Sequence, residues 1–154
     1  MSIKTIMTTK IYSLSINHTI KDAITIMKNN DIGLLVILDE KIVKGIITDR
    51  DIALALINFS IDDKIIKIMK SNVIYINENS SIYEAADNCA YFGITRLLVI
   101  NDANELKGII SIFDLLAIDA YKDYVIECLR ELKLNNNIYH YEIENDISIS
   151  RDFF

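Results

Sequence analysis

The sequence contains the segment Gly45-Ile46-Ile47-Thr48-Asp49-Arg50-Asp51, and the same pattern returns as Gly108-Ile109-Ile110-Ser111-Ile112-Phe113-Asp114. Each copy has a glycine, two isoleucines, a hydroxyl residue, two variable positions and an aspartate. The apolar part is typical of a buried strand, and a Ser or Thr followed by an acidic residue at this spacing is typical of a helix start. Each copy therefore predicts a strand that runs directly into a helix.

The similarity extends upstream of both segments in the same order. Matching residues stand at one constant offset: Ile6-Met7 and Ile68-Met69, Ile20 and Ile82, Ala23 and Ala85, Ile32 and Ile94, Leu35 and Leu97. Ordered self-similarity at one spacing indicates two copies of a single structural unit. We expect repeat 1 over residues 1–60, repeat 2 over residues 61–120 and a C-terminal segment over residues 121–154.

Each repeat is predicted to run strand, helix, strand, strand, helix. β-branched or apolar runs place the strands at 11–16, 34–38, 43–48, 73–76, 97–100 and 106–111. The first helix of each repeat starts at an N-cap, Thr19 or Ser81, with Asp22 or Glu84 as its reciprocal partner.

The C-terminal segment has no counterpart in the repeats. Residues 120–134 are predicted to extend the last helix, which would stop at residues 135–137, three asparagines. Alternating apolar residues then predict one strand or a short hairpin: Tyr139, Tyr141, Ile143, Ile147 and Ile149. A lid or dimer contact, a docking element for another protein and a disordered tail all stay open.

Composition excludes several classes of protein. The chain has 154 residues, 51% of them hydrophobic, and a net charge of −6. An acidic balance argues against binding to a nucleic-acid backbone. No apolar run approaches the roughly 20 residues of a membrane span, and no signal-peptide pattern opens the chain. Cys89 and Cys128 lie within apolar helical patterns and are expected to be buried free thiols, which suits the cytoplasm.

No pattern of catalytic residues is present. His18 and His140 are isolated, without cysteines or carboxylates at metal-ligand spacing. The four glycines all belong to the repeats, so no glycine-rich phosphate loop exists. We therefore expect neither an enzyme nor a metal site.

Asp51 and Asp114 are the candidate ligand-binding residues. A carboxylate at a strand-to-helix turn can accept two hydrogen bonds from the neighbouring hydroxyls of a ribose. Thr48 and Ser111 stand beside helix amides that favour phosphate. The same residues also form capping boxes, which helix starts need without any ligand. Spacing alone leaves both interpretations open.

The element order and the two quoted segments resemble the CBS domain, the family named for cystathionine β-synthase. Two such domains in tandem form a Bateman module, and the resemblance covers about three quarters of the chain. It implies a mixed α/β (α+β) fold of two β-α-β-β-α repeats related by pseudo-twofold symmetry. Family members commonly have a proline near Leu35-Val36 and Leu97-Leu98, whereas this chain has none. The local backbone there is therefore expected to differ.

The resemblance also implies two ligand clefts, each of which draws on both repeats. One would combine Tyr12, Ile32, Gly33, Arg96, Ile109, Ser111 and Asp114. The other would combine Ile74, Ile94, Thr95, Ile46, Thr48, Arg50 and Asp51. Apolar members would enclose an adenine and polar members would orient sugar and phosphate; each apolar member taken singly is also consistent with plain core.

A basic residue at the position of Arg96 often reaches nucleotide phosphates in this family. Repeat 1 has Leu34 there, so Arg50 would supply the charge to the other cleft. A lone arginine is otherwise typical of a solvated surface charge.

The function implied is a stand-alone regulatory module without a resident cofactor. Its ligand would be AMP, ADP, ATP or S-adenosylmethionine, and it would signal to a separate effector protein. A face-to-face homodimer is also implied. Three alternatives stay open: an interaction module with empty clefts that dimerises or docks through its tail, a nucleic-acid-associated factor and a weak nucleotide hydrolase.

Overall fold

The computed structural model describes the backbone of residues 1–146 and the side chains of residues 1–134. The strands are β1 (Ser13–Ser15), β2 (Leu34–Asp39), β3 (Ile42–Thr48), β4 (Tyr75–Asn77), β5 (Arg96–Ile100) and β6 (Leu106–Ser111). The α-helices are α1 (Ile20–Asn30), α2 (Asp49–Ala55), α3 (Ile82–Phe92), α4 (Ile112–Leu116) and α5 (Lys122–Asp146). Short 3₁₀ helices cover Ile3–Thr5, Ile65–Lys67 and Asp119–Tyr121. The predicted mixed α/β fold is confirmed.

The chain forms two compact units, and the first comprises Thr8–Ile74. Its sheet has the order β1-β2-β3, with β1 parallel and β3 antiparallel to β2. The core contains one face of α1, the central strand and the end of β3: Leu14, Ile20, Ala23, Met27, Leu35, Ile37, Ile47, Ile52 and Ile65. The helical spacing of the sequence puts four apolar residues on one face of α1, and three of them are buried here, while the fourth, Ile24, is partly buried.

The second unit comprises Met1–Met7 and the chain from Tyr75 onward. Its sheet repeats the first topology, with the order β4-β5-β6. Ile82, Ala85, Ala86 and Cys89 are buried on one face of α3, as the pattern predicts. Both central strands form without proline.

The first seven residues belong with the second sheet, so the compact units differ from the predicted repeats. Ile3 is fully buried, and its amide donates to the Ser80 carbonyl at 3.0 Å. Lys4 makes an ion pair with Glu78, also at 3.0 Å. In the other unit Ile65 is equally buried and its amide donates to the His18 carbonyl. Each unit thus places a buried isoleucine beside the start of its first helix.

The predicted N-caps Thr19 and Ser81 are confirmed, but only Asp22 acts as the predicted reciprocal partner, since the Glu84 side chain accepts no hydrogen bond from the Ser81 amide. Thr19 accepts from the Asp22 amide at 3.2 Å, and its own amide donates to the Asp22 carboxylate at 2.8 Å. Ser81 accepts from the Glu84 amide at 3.2 Å. Satisfied amides at these helix starts explain why α1 and α3 begin where the sequence indicates.

Helix α5 and the 3₁₀ helix directly before it pack against α3 through polar and aromatic contacts. The Tyr124 hydroxyl donates to Asp87 at 2.5 Å, and the Tyr83 ring packs edge-on against Tyr121 and Tyr124. Cys89 and Cys128 are free and buried, as predicted. Burial is the main reason that the pKa rises to about 12 for Cys89 and to about 11 for Cys128, which makes these thiols poor nucleophiles.

The predicted helix stop at residues 135–137 was wrong, and so was the predicted strand after it as far as residue 146. Helix α5 continues through residues 135–137 to Asp146, where a helix stop and a strand were expected. Asparagine costs a helix only a few tenths of a kcal/mol more than average, and neither glycine nor proline interrupts the segment. Ile147 and Ile149 lie outside the described residues. None of the helices in the described part combines the length and hydropathy needed to cross a bilayer.

Candidate functional site

The first candidate site is the turn that joins β3 to α2. The Thr48 amide and hydroxyl both donate to Asp51 Oδ2, at 3.0 and 2.8 Å, while the Asp51 amide donates back to Thr48 Oγ1 at 3.2 Å. These bonds form the capping box that the spacing predicts. They also fix the Asp51 carboxylate at the end of the strand.

Lys70 completes this turn from a distant part of the sequence. Its Nζ lies 2.7 Å from Asp51 Oδ1, whereas Thr48 donates to the other carboxylate oxygen, Oδ2. Its backbone pairs with Ile46 through two hydrogen bonds, each 2.9 Å long. The lysine is therefore anchored to β3 by its main chain and to the turn by its ammonium group.

The electrostatics of Asp51 reflect this setting. Burial by itself raises the pKa of this carboxyl, but the hydrogen bonds from Lys70 and Thr48 outweigh that effect. The net result is a pKa below the ordinary value, so Asp51 is ionised at neutral pH. The Asp51 side chain is only 11% exposed, whereas that of Lys70 is 64% exposed.

We predict that Lys70→Met reduces stability at pH 7 by up to about 1 kcal/mol, since one partner of the pair is exposed. A lowered pKa of Asp51 stabilises the fold above the ordinary carboxyl pKa, and the contribution is lost as pH falls through the lowered value. The difference between wild type and variant should therefore shrink as pH falls through that lowered pKa of Asp51. Urea unfolding at several pH values measures it.

Lys44→Met is the matched control, because Lys44 lies 4.0 Å from Asp39 and both side chains are more than 40% exposed. Its effect should be smaller than that of Lys70→Met at pH 7. An effect of Lys70→Met on the free energy of unfolding that does not shrink as the pH is lowered through the acid range would contradict the assignment.

Three other candidate residues lie in the same unit, and one of them contacts this turn directly. The Gly33 carbonyl accepts from the Asp49 amide at 3.1 Å, which brings Gly33 beside the start of α2. Ile32 is half-buried directly before it. Tyr12 is half-buried on the approach to β1, and its carbonyl accepts from Val36.

The second candidate site is the turn that joins β6 to α4. The Ser111 amide donates to Asp114 Oδ2 at 2.8 Å, and Ser111 Oγ accepts from the Phe113 amide at 3.2 Å. Arg96 begins β5 and lies directly opposite Ser111 in the sheet. Ile109 lies two positions before Ser111 in β6. This unit therefore brings together Arg96, Ile109, Ser111 and Asp114.

The flanking residues repeat the arrangement of the first turn. The Thr95 carbonyl accepts from the Ile112 amide at 2.9 Å, as Gly33 does from Asp49. Ile94, which precedes Thr95, donates its amide to Cys89.

The two turns differ in their charges. Asp51 has Lys70 as an ion-pair partner, whereas no lysine or arginine among the described side chains pairs with Asp114. Arg50 and Arg96 are exposed, and their guanidinium groups make no hydrogen bond or ion pair within residues 1–134. No cluster of three metal-ligating side chains occurs in that range.

Comparison with known proteins places this repeated turn in a family. The model of the CBS domain matches residues 3–58 and 65–121. The chain belongs to the CBS domain family. The tandem arrangement predicted from the internal repeat is confirmed, and CBS pairs are in general regulatory modules.

One curated relative and two solved structures show how close this similarity is. The CBS domain-containing protein YhcV of Bacillus subtilis (strain 168) is 34% identical over 116 residues, which cover 74% of this chain and 82% of YhcV. The CBS domain pair of protein MJ0100, in complex with 5′-methylthioadenosine and S-adenosyl-L-methionine, is 28% identical with a TM-score of 0.68; the match covers 76% of this chain and 94% of that one. CBS domain protein PAE2072 from Pyrobaculum aerophilum, complexed with AMP, has a TM-score of 0.73 at 24% identity and shares the fold over 82% of this chain and 99% of its own.

The residues assigned to the two clefts of this CBS pair divide between the compact units. Tyr12, Ile32, Gly33, Ile46, Thr48, Arg50, Asp51 and Ile74 belong to one unit, and Ile94, Thr95, Arg96, Ile109, Ser111 and Asp114 to the other. Their grouping into two clefts stays a prediction.

Lys70 is the residue that sequence analysis missed. It follows Met69 of the recurring Ile-Met pair, whereas Thr8 follows Met7 in the other copy. A charge that appears in only one of two CBS repeats was the available signal.

Proposed function

We propose that this CBS pair is a regulatory module that binds an adenosine-type ligand and reports it to another protein. The observation that carries the proposal is the Asp114 carboxylate, which is fixed at a strand-to-helix turn by a single bond from Ser111. A carboxylate has about four acceptor positions, so both hydroxyls of a ribose can be accommodated. MJ0100, whose CBS pair is 28% identical, is in complex with two adenosine derivatives.

Each proposed residue has a stated role. Asp51 and Asp114 accept the ribose hydroxyls, and Thr48 and Ser111 orient the carboxylates. Arg96 and Arg50 provide cations for phosphate, since a guanidinium group suits phosphate geometry. The apolar residues Ile32, Ile46, Ile74, Ile94 and Ile109, with Tyr12, enclose the adenine, while Gly33 and Thr95 line the approach.

Signalling would follow from linkage. A ligand changes the protein only in so far as it binds one arrangement of the repeats more tightly than another. We propose AMP, ADP, ATP or S-adenosylmethionine as the ligand, a cytoplasmic homodimer as the working form, a separate effector protein as the recipient and no catalytic step.

A second candidate function is an interaction module without a small-molecule ligand. The hydrogen bonds at both turns favour it, since the Thr48–Asp51 and Ser111–Asp114 pairs satisfy helix starts without any ligand.

A thermal-unfolding panel distinguishes the two functions. AMP, ADP, ATP, S-adenosylmethionine and the non-adenine control GMP would be tested at one salt concentration. A ligand at about 100 times its Kd stabilises the fold by about 2.7 kcal/mol, which raises the melting temperature by several degrees.

Asp114→Asn should remove much of this shift, because an amide replaces one of the two carboxylate acceptors with a donor. The variant should still fold, since the amide oxygen can accept from Ser111. Asp62→Asn is the matched control, because Asp62 is an exposed aspartate that belongs to neither turn. No shift with any adenosine compound would favour the interaction module.

A further inference from the structure

The Asp51 and Asp114 carboxylates differ in how many acceptor positions are occupied. Asp51 Oδ2 receives two hydrogen bonds from Thr48, and Oδ1 receives the Lys70 ammonium at 2.7 Å. A carboxylate has about four acceptor positions, so these three hydrogen bonds leave one acceptor position free on Asp51. Asp114 receives one bond, from the Ser111 amide, within the described residues. A ribose that donates from two hydroxyls fits Asp114 directly, but at Asp51 it competes with Lys70.

Lys70 can leave Asp51 without leaving the site. Its backbone is held to Ile46 by paired hydrogen bonds, so the Cα position is fixed. Its side chain is 64% exposed and has the rotational freedom of four methylene groups. The ammonium group can therefore move to another acceptor nearby while its main chain stays on β3.

We propose that Lys70 makes the Asp51 site selective for ligands that carry phosphate. This inference rests on the proposed function, since it specifies which ligands the same site takes. A ligand that binds Asp51 through its ribose displaces the Lys70 ammonium, and a phosphate on that ligand provides the ammonium with a new anionic partner. Neutral adenosine offers no such partner, and S-adenosylmethionine has a net positive charge because its sulfonium and ammonium groups outweigh its one carboxylate.

Arg50 provides a comparison, because it is a second cation at this turn and its removal shows whether any cation there would make the Asp51 site selective for phosphate. Its guanidinium group makes no hydrogen bond or ion pair with Asp51, and its own backbone amide donates to the Asp49 side chain at 2.8 Å. Removal of Arg50 can only take away a phosphate contact. Removal of Lys70 takes away a phosphate contact and also frees Asp51 for the ribose. The two variants should therefore differ in adenosine binding.

Calorimetric titration of AMP, adenosine and S-adenosylmethionine into the full chain measures this difference. All variants carry Asp114→Asn, so that the Asp51 site is observed alone. We expect Lys70→Met to weaken AMP binding about five-fold and to strengthen adenosine binding about two-fold. Both changes lie within the range of free energies of exposed and charge-assisted contacts. The ratio of AMP affinity to adenosine affinity should therefore fall about ten-fold, and S-adenosylmethionine should also bind more tightly. Arg50→Met should weaken AMP without improving adenosine.

The control and the contradicting outcomes are separate from those of the proposed function. Lys67→Met, which breaks an ion pair with Asp63 elsewhere in the same unit, should change neither affinity. An unchanged ratio of AMP to adenosine affinity in Lys70→Met would overturn the inference, even with AMP still bound. AMP binding that survives Asp51→Asn in the same background would also overturn it, because the ligand would then lie elsewhere. No binding of any adenosine compound to the wild-type chain would overturn the proposed function as well.

Discussion

Gly45→Ala is expected to lower the free energy of unfolding by about 1–3 kcal/mol, the usual cost of overpacking a close contact. A Cβ at this position would lie 2.5 Å from the Lys70 carbonyl oxygen and 3.0 Å from Met69 Sδ. The carbonyl belongs to the backbone that pairs with Ile46, so it cannot move without disturbing that pairing. Chemical denaturation of the purified variant measures the loss.

Gly33→Ala is the matched control for this prediction. Its Cβ would meet the Asp49 carboxylate at 3.1 Å, which is the end of an exposed side chain that can rotate away. We expect a loss of less than about 1 kcal/mol. Equal losses in the two variants would show that the approach of Lys70 to Gly45 is not the cause. Weakened AMP binding in Gly45→Ala would further show that the close approach of the Lys70 backbone to Gly45 fixes the position of Lys70.

Leu35→Ala is expected to have the largest effect on stability, a loss of about 2–5 kcal/mol. Leu35 is fully buried in the central strand β2 and pairs with Ile47 of β3, itself fully buried. Leu97 has the equivalent position in β5, is 1% exposed and should show a loss of the same size. Urea unfolding followed by circular dichroism provides the comparison.

Ile42→Ala is the control for the core substitutions. Ile42 begins β3 but is 63% exposed, so its removal should cost less than about 1 kcal/mol. A loss at Leu35 no larger than at Ile42 would contradict the placement of β2 at the centre of the core.

The repeated elements could be predicted from the sequence because local signals and the repeat agree there. Thr19 and Thr48 each precede an aspartate at capping-box spacing, and both form the predicted bonds. Leu35 and Leu97 lie within continuous apolar runs, as strands covered on both faces require. At these positions the residues that fix the local structure are neighbours in sequence.

Features that depend on distant residues were missed. Lys70 reaches Asp51 only because its backbone pairs with Ile46, and no local pattern records that pairing. Ile3 packs with the second sheet although it precedes the first one in sequence. The asparagines at 135–137 suggested a helix stop because asparagine favours caps and turns, but α5 continues past them.

Equilibrium binding of AMP is the most direct test of the account, measured calorimetrically on the wild-type chain and on a variant that carries both Asp51→Asn and Asp114→Asn. We predict saturable binding to the wild type and a loss of affinity of at least about ten-fold in the double variant, since both proposed ribose acceptors are altered. Far-ultraviolet circular dichroism should show that the variant keeps its fold. Equal AMP affinity in the two proteins would contradict the assignment of these aspartates, and no heat of binding in the wild type would contradict AMP recognition itself.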